Sequence, residues 1–165
     1  MEKIMWLVLG GVAFVAALRA GHSVRAMYVG RCALAVLFTG FGAAVNAIYL
    51  VLGTDYYADF ADASPFAFVR HSWQSLVLPN EAFFISLLII AEATAGVLIL
   101  SGGRWTQLGL LALIGFHLGQ LAFGGLLWIW APLMLVTLTL LLRAERHAGP
   151  QQHMRAPAVK RHSPA

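Results

Sequence analysis

An all-α integral membrane fold is what this chain predicts, and three observations carry the prediction. Hydrophobic residues make up 60% of the 165 residues and charged ones 11%, with a mean hydropathy of +0.78, so a polar surface cannot be built around a buried core. The apolar stretches reach the ~20 residues that a helix needs to cross a hydrocarbon core of about 30 Å. The basic residues behind the formal charge of +4 sit around those stretches and form no aromatic-interleaved patch, which excludes a nucleic-acid partner.

Five spans follow in order. The first, Ile4 to Leu18, is short, and Lys3 before an apolar run also reads as a cleaved signal peptide. Arg19 and Arg25 directly after the run, with no small-x-small cleavage site, favour an uncleaved anchor. The second covers about residues 32–52. The loop 53–80 places Ser64 as an N-cap and Pro65 at a first helical position, then Phe66, Val69, Trp73 and Leu76 on one face. This predicts an amphipathic helix that floats in the interface or closes over the bundle, and that ends at Pro79-Asn80. The third span covers 82–100. From Trp105 to Leu142 the chain is apolar for 38 residues, roughly 57 Å of helix, and must fold back; Gly124-Gly125 is the expected turn, giving spans 105–123 and 126–142. Residues 1–142 thus read as one transmembrane bundle domain. The segment 143–165, rich in Arg, His, Pro and Ala, reads as a disordered basic tail that fixes orientation and can hold anionic lipid.

Orientation follows from charge. With the loops before spans two and four inside, Arg19, Arg25, Arg31, Arg104, Arg143, Arg146, Arg155, Lys160 and Arg161 are cytoplasmic, nine of the eleven Lys and Arg. The amino terminus is then outside and the carboxyl terminus inside a bacterial-type inner or plasma membrane, with Asp55, Asp59, Asp62 and Glu81 outside.

Two polar residues deep in apolar runs are the candidate site: Glu92 and His117. Helix rise puts Glu92 about 17 Å below the outer edge and His117 about 18 Å above the inner one, with Asn46 at a similar depth. Gln120, at i+3 from His117, shares its face. Glu92, His117, Asn46 and Gln120 are therefore expected to form a polar cluster in which Glu92 and His117 share a hydrogen bond, direct or through one polar neighbour. Such a cluster can move a proton or hold a quinone or lipid oxygen; equally, it can only fix helix register. Gly115-x-x-x-Gly119, Gly40 with Ala44, and Ala91, Ala95 and Gly96 are expected to line close contacts inside the bundle. Cys32 is the only cysteine, so no internal disulfide or Cys-x-x-Cys pair exists. A single His within a span argues against bis-His haem, and no metal site is predicted.

Arg31 ahead of Leu37-Phe38-Thr39-Gly40, and then Glu92-Ala93-Thr94-Ala95-Gly96-Val97-Leu98-Ile99-Leu100-Ser101-Gly102-Gly103-Arg104, resembles the DoxX-like family of small membrane bundle proteins over about residues 28–142. The resemblance implies a four-helix antiparallel bundle plus, here, an extra N-terminal transmembrane helix. It singles out Arg31, Gly40, Gly96, Gly103 and Arg104 as motif positions, and for some members it implies association with quinone- or thiol-linked redox systems. No nucleophile, metal cluster or phosphate loop is present in the sequence. The expectation is a non-catalytic accessory or assembly subunit of a larger membrane complex, with membrane lipids and a membrane-protein partner or a second copy as contacts. The alternative is a quinone- or lipid-binding protein working through Glu92 and His117.

Overall fold

The structure is a computed structural model that describes residues 2–53 and 55–154. It is all-helical among those residues, with helices α1 (Glu2–Ala20), α2 (Val24–Leu52), α3 (Ala67–Ser101), α4 (Gly103–Gln120) and α5 (Leu127–Met154). Three of them, α2, α3 and α5 as far as Ala148, are long and apolar enough to cross a membrane; the apolar part of α1, Ile4–Ala20, is shorter.

Helix α2 begins at Val24, earlier than the span expected from residue 32. Ser23 is extended (φ −144°, ψ 114°), and its hydroxyl accepts the Ala26 N–H at 3.2 Å, a standard N-terminal cap. Between Val36 and Ala43 the helix widens to a π-helical turn, which shifts the rotational register of everything beyond it.

Helix α3 corrects the loop reading twice. It starts at Ala67, with Phe66 as its extended N-cap, while Ser64 is buried and donates its hydroxyl to the Ala122 carbonyl at 2.6 Å. Pro79 does not end it. The Leu78 N–H reaches back to Trp73 across a π-type turn, and Pro79 sits at the start of a 3₁₀ turn, Leu78–Asn80, where its missing N–H is not needed. The expected amphipathic helix is thus the N-terminal extension of α3. Of its predicted face, Val69 is buried and Trp73 half-buried, whereas Phe66 and Leu76 are exposed.

The joints are glycine turns. Gly102 and Gly103 have φ of +87° and +55°, and Gly124 and Gly125 have +75° and +59°, left-handed values that L side chains rarely adopt. At the first joint the Thr106 hydroxyl donates to the Ile99 carbonyl and accepts the Gly102 N–H, both at 2.9 Å.

α1 and α2 run antiparallel, as do α2 and α3: Trp6 meets Phe38 (ring centroids 6.4 Å apart), and Arg31 reaches the far end of α3 at Ile99; α1 and α5 run parallel, with Trp6 against Trp130 near the start of each. α1 is not a peripheral addition. It packs against both α2 and α5, and its Ala13, Ala17 and Ala20 join a core that includes Leu34, Leu37, Phe38, Ile99, Leu110, Met134, Leu138 and Leu141.

Two further expectations are corrected. Arg143–Met154 is helical and continues α5, with Ala144 and Glu145 buried; the rest of the expected disordered tail, 155–165, lies outside the described residues. Gly115 and Gly119 face outward, with nothing among the described residues within 4 Å of where a Cβ would stand. The close contact of α4 is made instead by Gly109, whose added Cβ would come within 3.0 Å of the Ala95 carbonyl oxygen, the Ile99 nitrogen and Leu98 Cβ.

Candidate site: a buried carboxylate network

Glu92 lies on the buried face of α3 with Ile85, Ala95, Gly96 and Ile99, and is 5% exposed. A carboxylate there requires hydrogen bonds, because an unpartnered polar group in an apolar interior costs several kcal/mol. Asn46 of α2 supplies one, donating from Nδ2 to Oε2 at 2.9 Å. Room for the carboxylate comes from Gly42, where an added Cβ would fall 2.9 Å from both Cδ and Oε1 of Glu92.

The network continues outward. The Tyr57 hydroxyl donates to Asn46 Oδ1 at 2.7 Å, and Trp73 Nε1–H donates to the Tyr57 carbonyl at 2.9 Å. Burial, and next the neighbouring Tyr56, push the Tyr57 phenol well above the usual tyrosine range, so it remains a neutral donor at physiological pH. Trp73 also packs against Phe60 and Phe123, at centroid distances of 5.2 and 5.4 Å. The segment from Tyr57 to Trp73 is thereby tied to the bundle from Glu92 up to the turn between α4 and α5.

His117 belongs to a different environment. It is fully buried on the stripe Thr106, Gly109, Leu110, Leu113 and His117, edge-on to Phe38 and Phe116 at 5.6 and 5.4 Å. Its Nδ1 lies 2.7 Å from the Leu113 carbonyl, which can only accept, so Nδ1 carries hydrogen. Nε2 of His117 and Oε1 of Gln120 are buried without a hydrogen-bond partner among the described residues.

The expected pairing of Glu92 with His117 is therefore corrected: each has its own partner, Asn46 Nδ2 and the Leu113 carbonyl. Helix rise gave both a similar expected depth, but each helix turns its polar residue to a different neighbour. Of the four expected cluster members, the structure joins Asn46 and Glu92 by a hydrogen bond, and no hydrogen bond among the described residues links His117 or Gln120 to them.

Arg31 is 8% exposed and anchors the opposite end. Its Nε donates to the Ile99 carbonyl at 2.8 Å, Nη2 to that of Leu100 at 3.1 Å, and Nη1 to Glu145 Oε1 at 3.0 Å. A cation on the last carbonyls of α3 complements the helix dipole. Gly96 meets α2 so closely that an added Cβ would overlap the Thr39 hydroxyl. Gly40 is exposed and makes no such contact; Gly103 serves the turn, and Arg104 is exposed and stacks over Trp105 at 4.8 Å.

Sequence reasoning missed Gly42, Tyr57 and Glu145. An i−4 spacing from Asn46 could have found Gly42 on the same face, but the other two come from a loop and a segment read as disordered. No group of three or more His, Cys, Asp or Glu side chains that could hold a metal ion occurs among the described residues. No protein-family model, curated protein or solved structure matches the chain.

Proposed function

We propose that the chain is an integral membrane protein, a DoxX-like bundle with an additional N-terminal helix, that acts as a non-catalytic accessory or assembly subunit of a larger membrane complex. One observation carries the non-catalytic reading: Asn46 stands between Tyr57 and Glu92. An amide orients both neighbours, donating to one and accepting from the other, but has no titrating proton to pass along. The network therefore fixes the outer segment on the bundle, and Asn46 offers no titrating group to relay a proton from Tyr57 to Glu92. The exposed, largely apolar face of α4 containing Leu108, Leu111, Gly115 and Leu118 is available to the larger complex.

The test combines stability with co-purification. Glu92→Gln keeps an oxygen to accept from Asn46 and should leave both the unfolding midpoint and the set of proteins co-purified in mild detergent unchanged. Glu92→Leu strands the Asn46 donor and should destabilise by about 1–3 kcal/mol. Loss of a stoichiometric partner, or of a cellular activity, in the folded Glu92→Gln protein would make the carboxylate functional and defeat this reading.

A quinone- or lipid-binding role remains as the second reading, favoured by the two buried acceptors of His117 and Gln120, which a quinol hydroxyl would satisfy. Quinone recovered in stoichiometric amount from the purified protein, and lost on His117→Leu, would establish it in place of the first.

We further propose that the amino terminus is outside and the carboxyl terminus in the cytoplasm. Arg19, Arg25, Arg31, Arg104, Arg143 and Arg146 support this by lying toward one end of the bundle, as the positive-inside pattern requires. A cysteine at exposed Asp59 should label in intact cells with a membrane-impermeant reagent, and one at exposed Arg143 only after permeabilisation. The converse pattern would invert the topology.

A further inference from the structure

Away from the carboxylate network, α1 and α2 enclose an open groove of about 560 Å³, lined by Gly11, Val15 and Val29 along its length and by Arg19, Ser23 and Arg25 at the turn. We propose that this groove holds one anionic phospholipid, an acyl chain lying on the valines and the phosphate between the two arginines. The inference rests on the membrane reading above.

Shape, polarity and charge agree on this occupant. The volume lies in the range of about 300–1,000 Å³ typical of small-molecule sites. Gly11 leaves the wall open, with nothing among the described residues within 4 Å of an added Cβ, while Val15 and Val29 are 53% and 43% exposed. The polar residues gather at one end. Arg19 closes the last turn of α1, and Arg25 opens α2 beside the Ser23 cap, whose hydroxyl can also donate to a phosphate oxygen. No acidic side chain lines the groove, so two guanidinium groups at the end of an apolar trough complement one negative headgroup above one hydrocarbon chain.

The full chain, purified in neutral detergent, is titrated with phosphatidylglycerol or with phosphatidylcholine of the same acyl composition, and bound lipid is counted by native mass spectrometry. One phosphatidylglycerol should bind in preference to phosphatidylcholine. Arg19→Gln/Arg25→Gln should weaken it on the order of thirty-fold. Arg19→Lys/Arg25→Lys should retain most of the binding, since an ammonium still meets a phosphate. Val15→Trp should block the chain while leaving the charges in place, and Arg143→Gln/Arg146→Gln should have no effect.

Equal binding of the two lipids overturns the proposal, as does indifference to both the double glutamine and the Val15→Trp changes. So does full competition by inorganic phosphate, which would show a headgroup-only anion site, or a lipid-independent dimer that buries the groove. Should the glutamine variant not fold, the lysine and tryptophan variants decide. Extraction of the wild-type chain from membranes by alkaline carbonate would defeat the membrane reading itself; a retained chain without lipid preference defeats only the groove.

Discussion

Glu145→Ala is expected to destabilise the folded chain by about 3–5 kcal/mol, because it leaves the Arg31 guanidinium buried with one of its donors unmet. The ion pair joins α2 to α5 at 3.0 Å, and both residues are under 10% exposed, so water cannot replace the lost carboxylate without opening the packing. Glu145→Gln, which keeps an acceptor but not the charge, should fall between the alanine variant and the wild type. Arg31→Met together with Glu145→Leu should recover part of the loss, since replacing both partners removes the stranded charge. It should not recover all of it, because the Ile99 and Leu100 carbonyls lose their cap. Denaturant unfolding in micelles reads all four proteins. A Glu145→Ala change within about 0.5 kcal/mol would mean that the pair is solvated and that the end of α5 contributes nothing.

A second large effect is expected at Gly109. Leucine there has to displace backbone atoms of α3 that stand 3.0 Å from the position of the first added carbon, so the two helices must separate. The cost should be about 3 kcal/mol or more, at the upper end of overpacking penalties, because rigid backbone and no flexible side-chain tip is in the way. Gly119→Leu, on the open face, should change stability by no more than about 0.5 kcal/mol. Comparing the two unfolding midpoints separates the faces, and equal sensitivity would mean that the α4 face has been assigned wrongly.

Much of this was legible in the residues, and some errors were avoidable. His117 is buried and the flanking glycines are two residues away on either side, about 200° around a helix. Burying His117 therefore exposes Gly115 and Gly119, a conclusion available from periodicity alone. The turn at Gly124-Gly125 was readable because the apolar stretch from Trp105 to Leu142 is too long for one helix across a hydrocarbon core and that pair is its one run of two adjacent glycines, which take left-handed backbone angles cheaply. By contrast, the end of α5 could not be seen in composition. Arg143 to Met154 is polar by content, and what holds Glu145 in place is an arginine 114 positions earlier in the chain.

The sequence by itself determined the all-helical class and apolar helices long enough to cross a membrane, of which the described residues hold three, because hydrophobic content and helix rise per residue are readable without the fold. Azimuth is another matter. Which way each polar residue turns depends on how the helices rotate against one another, and that is set by contacts distant in sequence: Gly109 against α3, Gly42 beneath the Glu92 carboxylate, and the π turn that re-registers α2. Only the tertiary structure could therefore give Glu92 to Asn46 and Tyr57, leave His117 to the Leu113 carbonyl, and bring Arg31 to Glu145.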